Sequence, residues 1–188
     1  MIKAIIFDYF GVISSDDYWR YVKQDKNTDE STFSNFANAV NLGKIRWQEF
    51  IEKVSESTNT SVAQVEKMYA AEQINPLVVG LIHELHKTYK IGLLTNAHHD
   101  FIDPLLKDSH LINLFDDVTV SSRLGIIKPD PMIFQYALEK LEVKANEVVY
   151  IDDLEKHIKA ATQLGMQGIW YRDYSQFKAD LDAILSHS

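Results

Sequence analysis

Apolar and polar positions follow two rhythms along this chain. Five short runs are apolar almost without interruption: KAIIFDY (3–9), KIGLLTN (90–96), DVTVSS (117–122), EVVYIDD (147–153) and QGIWYR (167–172). Runs of this length predict strands buried on both faces, as in a parallel sheet covered by helices. Helix signals separate them. Asn75–Pro76 is a cap followed by proline at the first helical position, ahead of LVVGLIHELHKTY, and Asp130–Pro131 repeats the signal ahead of MIFQYALEKL. A helix from Leu154 to Leu164 is stopped by Gly165, and another from Tyr174 to Leu185 is capped by Ser175. The alternation predicts an α/β fold with a Rossmann-like, doubly wound parallel sheet.

Residues 14–74 lack a strand pattern and read as helical. Apolar groups recur three or four apart, as at Phe33, Phe36 and Val40 or Phe50, Ile51 and Val54, and the Ser55–Thr60 cluster punctuates them. The expected organisation is an α/β core of residues 1–13 and 75–188 with a small helical insert at 14–74. A chain of 188 residues with 46% hydrophobic content can bury the core this requires. The absence of cysteine excludes disulfides, thiolate metal sites and a cysteine nucleophile. A net charge of −8 with scattered lysines argues against a nucleic-acid partner. The N-terminal apolar run is short and interrupted by Asp8, and no apolar run of about 18 residues occurs, so no membrane span is expected. A cytoplasmic monomer or homodimer is the expected form.

Ligands of open α/β sheets bind beyond the carboxyl ends of the strands. The first run delivers Asp8 there, the second Thr95 and Asn96, and the fourth Asp152 and Asp153, while Lys128 precedes the capped helix at Asp130. Separated carboxylates suit Mg²⁺, which takes one or two of them together with water and substrate phosphate. A carboxylate beside such a cation can attack phosphorus, and a lysine and a hydroxyl can hold the phosphoryl oxygens. Singly these residues have ordinary explanations as turn formers, caps or solvated charges; their shared rim unites them.

With those residues in order, the chain resembles the haloacid dehalogenase superfamily of aspartate-based hydrolases. The matching motifs are IIFDYFGVI, IGLLTNA, IKPDPMIF and VVYIDDLEKHIKAA. The resemblance implies that Asp8 is a nucleophile forming an aspartyl-phosphate on a small phosphorylated substrate. It implies that the Phe10 carbonyl and Asp153 join Asp8 around Mg²⁺, with Asp152 holding a metal-bound water. Thr95 and the Asn96 backbone would bind the phosphoryl group, Lys128 would neutralise charge, and the insert would be the family's helical cap.

One position departs from the family's phosphatases. They carry a second aspartate two residues after the nucleophile, as general acid and base; here that residue is Phe10. Asp16, Asp17, His98 and His99 are candidate substitutes, although the histidines read as a solvated loop pair. Trp19, Arg20, Tyr21, Arg46 and Trp47 are candidates for the cap's substrate face, with Trp47 expected inside the cap. Two alternatives stand beside the phosphatase. A 2-haloacid dehalogenase, which attacks carbon without a metal, shares the aromatic first motif but usually has small polar residues where this chain has Asp152–Asp153. A non-catalytic protein would bind a phosphorylated ligand without turnover.

Overall fold

The computed structural model describes residues 1–15 and 30–186. Each expected strand forms within its apolar run: β1 (Ala4–Phe7), β2 (Lys90–Thr95), β3 (Asp117–Val120), β4 (Val148–Asp152) and β5 (Gln167–Trp170). All pairings are parallel, in the order β3-β2-β1-β4-β5. β1 is therefore central, with Phe7 level with Leu93 on one side and Ile151 on the other. The order reverses between β1 and β4, and that switch point opens a crevice at the carboxyl rim. Asp8 and Asp152 leave their strands there.

Among the described residues of the insert three helices form, α1 (Glu30–Asn41), α2 (Trp47–Thr58) and α3 (Val62–Ala70). Six more follow: α4 (Pro76–Leu85), α5 (His99–Asp108), α6 (Ser121–Leu124), α7 (Pro131–Leu141), α8 (Glu155–Gln163) and α9 (Tyr174–Ser186). Strand alternation sends Ile5 and Phe7 to one side, against Val78 and Ile82 of α4 and Phe177 of α9. Ala4 and Ile6 face the other side, against Phe134 of α7 and Ile158 of α8. α1, α2 and α3 bury a separate core of Phe33, Val40, Phe50, Ile51, Val54 and Val65.

The two proline-marked starts form as expected. Asn75 Oδ1 accepts from the Leu77 and Val78 amides at 3.1 and 3.4 Å, and Asp130 Oδ1 accepts from the Met132 amide at 2.9 Å. Ser175 is not a cap: α9 begins one residue earlier, and Asp173 Oδ1 takes the Gln176 amide at 2.9 Å. The sequence pattern also missed α5, which carries Pro104 in its interior.

A short neck ties the insert to the core. Ser15 N–H donates to the Gln73 carbonyl at 2.9 Å, Asn75 N–H to the Ile13 carbonyl at 2.8 Å, and Ser14 bridges Ile74. This pairing holds the end of the insert beside the turn that carries Asp8.

Candidate active site

Asp8 stands one residue past β1, its amide donating to the Ile151 carbonyl at 2.9 Å. Its Oδ1 accepts from the Tyr9 amide at 2.7 Å and from Lys128 Nζ at 2.8 Å. Its Oδ2 has no protein donor among the described residues. The Lys128 ammonium is fully buried and gives its other two protons to Asp152 Oδ2, at 2.8 Å, and the Leu94 carbonyl, at 3.0 Å. Asn96 explains how the lysine is aimed. Its side chain accepts from the Lys128 amide at 2.8 Å and donates to the Lys128 carbonyl at 3.1 Å.

Asp152, the last residue of β4, is saturated by protein. Besides Lys128 it accepts from the Leu154 amide at 2.8 Å, from the Tyr150 hydroxyl, and from His157 Nδ1 at 3.0 Å to each oxygen. Tyr150 and His157 were not singled out from sequence. A tyrosine inside a fully buried strand was the available signal, because its hydroxyl must find a partner there. Burial keeps His157 neutral, pushing its pKa down, so Nδ1 carries the proton and Nε2 is left buried without a partner among the described residues.

The charges do not balance. Burial alone would push Asp152 up, but Lys128 and His157 outweigh it and hold the carboxyl below the usual carboxylate range. Burial pushes Asp8 well above that range, and the charges of Asp152 and Asp153 add to the shift against the opposing pull of Lys128. Burial likewise works to discharge Lys128, yet the two carboxylates keep it cationic. Among the described residues, three carboxylates therefore share one rim with a single ammonium.

The residues present fit a divalent cation. Gly11, with φ +78°, turns the chain so that a Cβ there would lie 2.5 Å from Asp153 Oδ2. Only glycine lets the Asp153 carboxylate lie against the turn that bears Asp8 and Phe10. The Phe10 carbonyl accepts no backbone hydrogen bond among the described residues. Thr95 Oγ1, at the end of β2, is fully buried with no partner among the described residues. An unpaired buried hydroxyl costs about 1–3 kcal/mol, which a bound oxyanion would recover.

Beside this rim lies a cavity of about 70 Å³, lined from both the core and the insert. Aromatic rings form much of its wall. Phe10 stacks on Phe101 of α5 at 6.2 Å, and Phe101 stacks on Trp47 of α2 at 4.3 Å. Trp47 packs against the insert's core as expected, on Phe50 and Tyr69, and its half-buried ring also faces the junction with the core. His98 departs from expectation. It is 4% exposed and caps α5, its Nδ1 accepting from the Asp100 amide at 3.2 Å while its ring stacks on His99 at 4.4 Å. Arg46 is exposed just before α2. Asp16, Asp17, Trp19, Arg20 and Tyr21 lie outside the described residues. Glu72, which the sequence reading passed over, lines the cavity and accepts from the Tyr9 hydroxyl at 2.6 Å.

Known proteins share this fold. Residues 2–165 match the family model of haloacid dehalogenase-like hydrolases. Over 161 residues the chain is 28% identical to bifunctional epoxide hydrolase 2 of Rattus norvegicus, covering 76% of this chain and 29% of that protein. The chain thus spans less than a third of the length of that relative. It is 22% identical to D-ribitol-5-phosphate phosphatase of Bacteroides thetaiotaomicron, across 99% of this chain and 100% of that one. A Bacteroides thetaiotaomicron enzyme of the family, solved in complex with magnesium and inorganic phosphate, superposes with a TM-score of 0.75 at 22% identity, covering 93% of this chain and 98% of that one. A parallel sheet with an aspartate at its central strand end, a match across most of the chain and these relatives agree: the chain belongs to the haloacid dehalogenase-like hydrolases.

Proposed function

We propose that this hydrolase is a Mg²⁺-dependent phosphatase of small organic phosphomonoesters that works through Asp8. The observation that carries the reading is the excess of carboxylates over ammonium at a rim that also holds the orphaned Thr95 hydroxyl. Asp8 Oδ2, Asp153 and the Phe10 carbonyl would hold the cation. Bound there, Mg²⁺ offsets repulsion between the Asp8 carboxylate and a phosphate dianion. Asp152 is given a different task from the one its motif suggested. With its lone pairs committed to Lys128, Tyr150, His157 and Leu154, it fixes the ammonium rather than a metal-bound water.

Chemistry at the chain's own groups follows. The Asp8 oxygen that does not hold the cation attacks phosphorus, and the ester oxygen departs. Thr95 Oγ1 and the Asn96 amide donate to the phosphoryl oxygens, and Lys128 stabilises charge on Asp8. Water then attacks phosphorus, breaking the bond to Asp8 and releasing phosphate. The insert at 14–74 would serve as the cap that excludes water and contacts the leaving group. A dehalogenase, which needs no cation, would leave the unbalanced carboxylates without a purpose.

The test is hydrolysis of p-nitrophenyl phosphate with and without Mg²⁺, in wild type and Asp8→Asn. Turnover that needs both the cation and Asp8 is the expected result. Tight binding of inorganic phosphate without turnover would instead make this a ligand-binding protein, and no binding at all would return weight to carbon chemistry.

A further inference from the structure

Phe10 cannot move a proton, so a phosphatase at this site needs its acid and base from elsewhere. Of the residues lining the cavity beside Asp8, Glu72 is the one carboxylic acid among the described residues. It stands just past α3, next to the neck that returns the chain to the core. The two oxygens of Glu72 have unequal surroundings. Oε1 accepts from the hydroxyl of Tyr9, whose amide in turn donates to the Asp8 carboxylate. Oε2 is buried and has no partner among the described residues.

That asymmetry is costly unless something answers it. An unpaired buried carboxylate oxygen loses its hydration and receives nothing back. A proton on Oε2 removes the charge but creates a donor that still needs an acceptor. Among the described residues none meets Oε2, although Ser15, Asn41, Asn96 and His98 line the cavity alongside Phe10, Trp47 and Phe101. A leaving-group oxygen entering the cavity from Asp8 supplies that acceptor.

We propose that Glu72 is the general acid and base of this enzyme, acting through Oε2 in place of the aspartate that Phe10 replaces. The inference rests on the phosphatase reading above. In the first half-reaction Asp8 forms a bond to phosphorus as the ester P–O bond breaks, and Glu72 gives its proton to the departing oxygen. In the second, the Glu72 carboxylate takes a proton from the water that attacks phosphorus. The bond to Asp8 breaks, phosphate leaves and Glu72 is protonated again. Burial supports the role by pushing the Glu72 pKa up, with the Tyr9 and Ser14 hydroxyls as the opposing influence. Among the described residues, Tyr69 and His98 are the other titratable groups facing the same cavity.

The role separates two esters. p-Nitrophenolate leaves without a proton; the alkoxide of glycerol phosphate needs one. In Glu72→Gln, formation of the aspartyl-phosphate from the aryl ester should survive while its hydrolysis slows. Rapid mixing should then give a burst of p-nitrophenolate stoichiometric with enzyme, followed by turnover reduced about 10²–10⁴-fold. The same variant should show no burst with glycerol phosphate, and acid-quenched protein should carry a phosphoryl group on Asp8 by mass spectrometry. Glu72→Asp should recover part of the rate. Glu72→Gln with wild-type rates on both esters would overturn the proposal. So would a variant that melts like wild type yet loses both esters through KM alone, with no trapped adduct. A wild type without Asp8-dependent turnover of either ester would overturn the phosphatase reading itself.

Discussion

Asp8 carries a negative charge into a place that already holds two. The Lys128 ammonium reaches Asp8 and Asp152 together, so one cation answers two carboxylates while Asp153 adds a third. The sign of the consequence follows from the raised Asp8 pKa. Between the unfolded and folded values the native state binds more protons than the unfolded chain, so stability falls as pH rises through that window. Above the folded value the penalty is fully present. Asp8→Asn removes the charge and leaves Lys128 its bonds to Asp152 and Leu94. This variant should therefore be inactive yet melt higher than wild type in metal-free buffer, by about 2–4 °C for each kcal/mol recovered. Differential scanning calorimetry at pH 7 with chelator measures this directly. An unchanged or lower Tm would mean that the Asp8–Lys128 pair stabilises more than the crowded charge costs.

At the scale of elements, what was readable and what was not divide along physical lines. Each strand was visible because burial on both faces demands an unbroken apolar run, and Asp8, Thr95 and Asp152 were visible because they sit where such runs end. α4 and α7 were visible because Asn–Pro and Asp–Pro state where a helix starts. Asn75 should contribute accordingly. It caps α4 and its amide also donates to the Tyr171 hydroxyl at 3.2 Å, joining the first core helix to the segment after β5. Asn75→Ala should cost about 0.5–2 kcal/mol, a drop of a few degrees in Tm with kcat retained, read by thermal melts and a single rate assay. α5 was hidden because Pro104 and the polar start HHDFID obscure its helical period. Glu72 was hidden for a different reason. The residue that gives it meaning, Tyr9, lies 63 positions away, and nothing in AAEQINP announces the neck that brings them together. The stacking of Trp47 on Phe101 is non-local in the same way: periodicity places Trp47 in its own helix bundle, where it packs, but cannot reveal the second contact. Local rules reveal which residues end an element; they do not reveal which distant side chain meets them.

Across the whole molecule, the chain carries a net charge of −8, and the most expensive part of that charge is concentrated at one rim. A divalent cation there would do more than assist chemistry, because anything that binds the native state and not the unfolded chain stabilises it by mass action. At a concentration a hundred times its dissociation constant the gain is about 2.7 kcal/mol. For a chain of this length that corresponds to a rise in Tm on the order of 5–10 °C. Screening of the general surface charge would also raise Tm, so the specific effect must be separated from it. Mg²⁺ should outperform NaCl at equal ionic strength, and chelator should reverse the gain. Asp153→Asn should abolish the Mg²⁺-specific increment while keeping the response to salt, since it removes one carboxylate from the rim and leaves the Lys128 network in place. Gly11→Ala should abolish it too, by forcing the Asp153 carboxylate off the turn. Equal Tm responses to Mg²⁺ in wild type and both variants would show that the ion binds elsewhere, and would remove the metal from the reading of this rim.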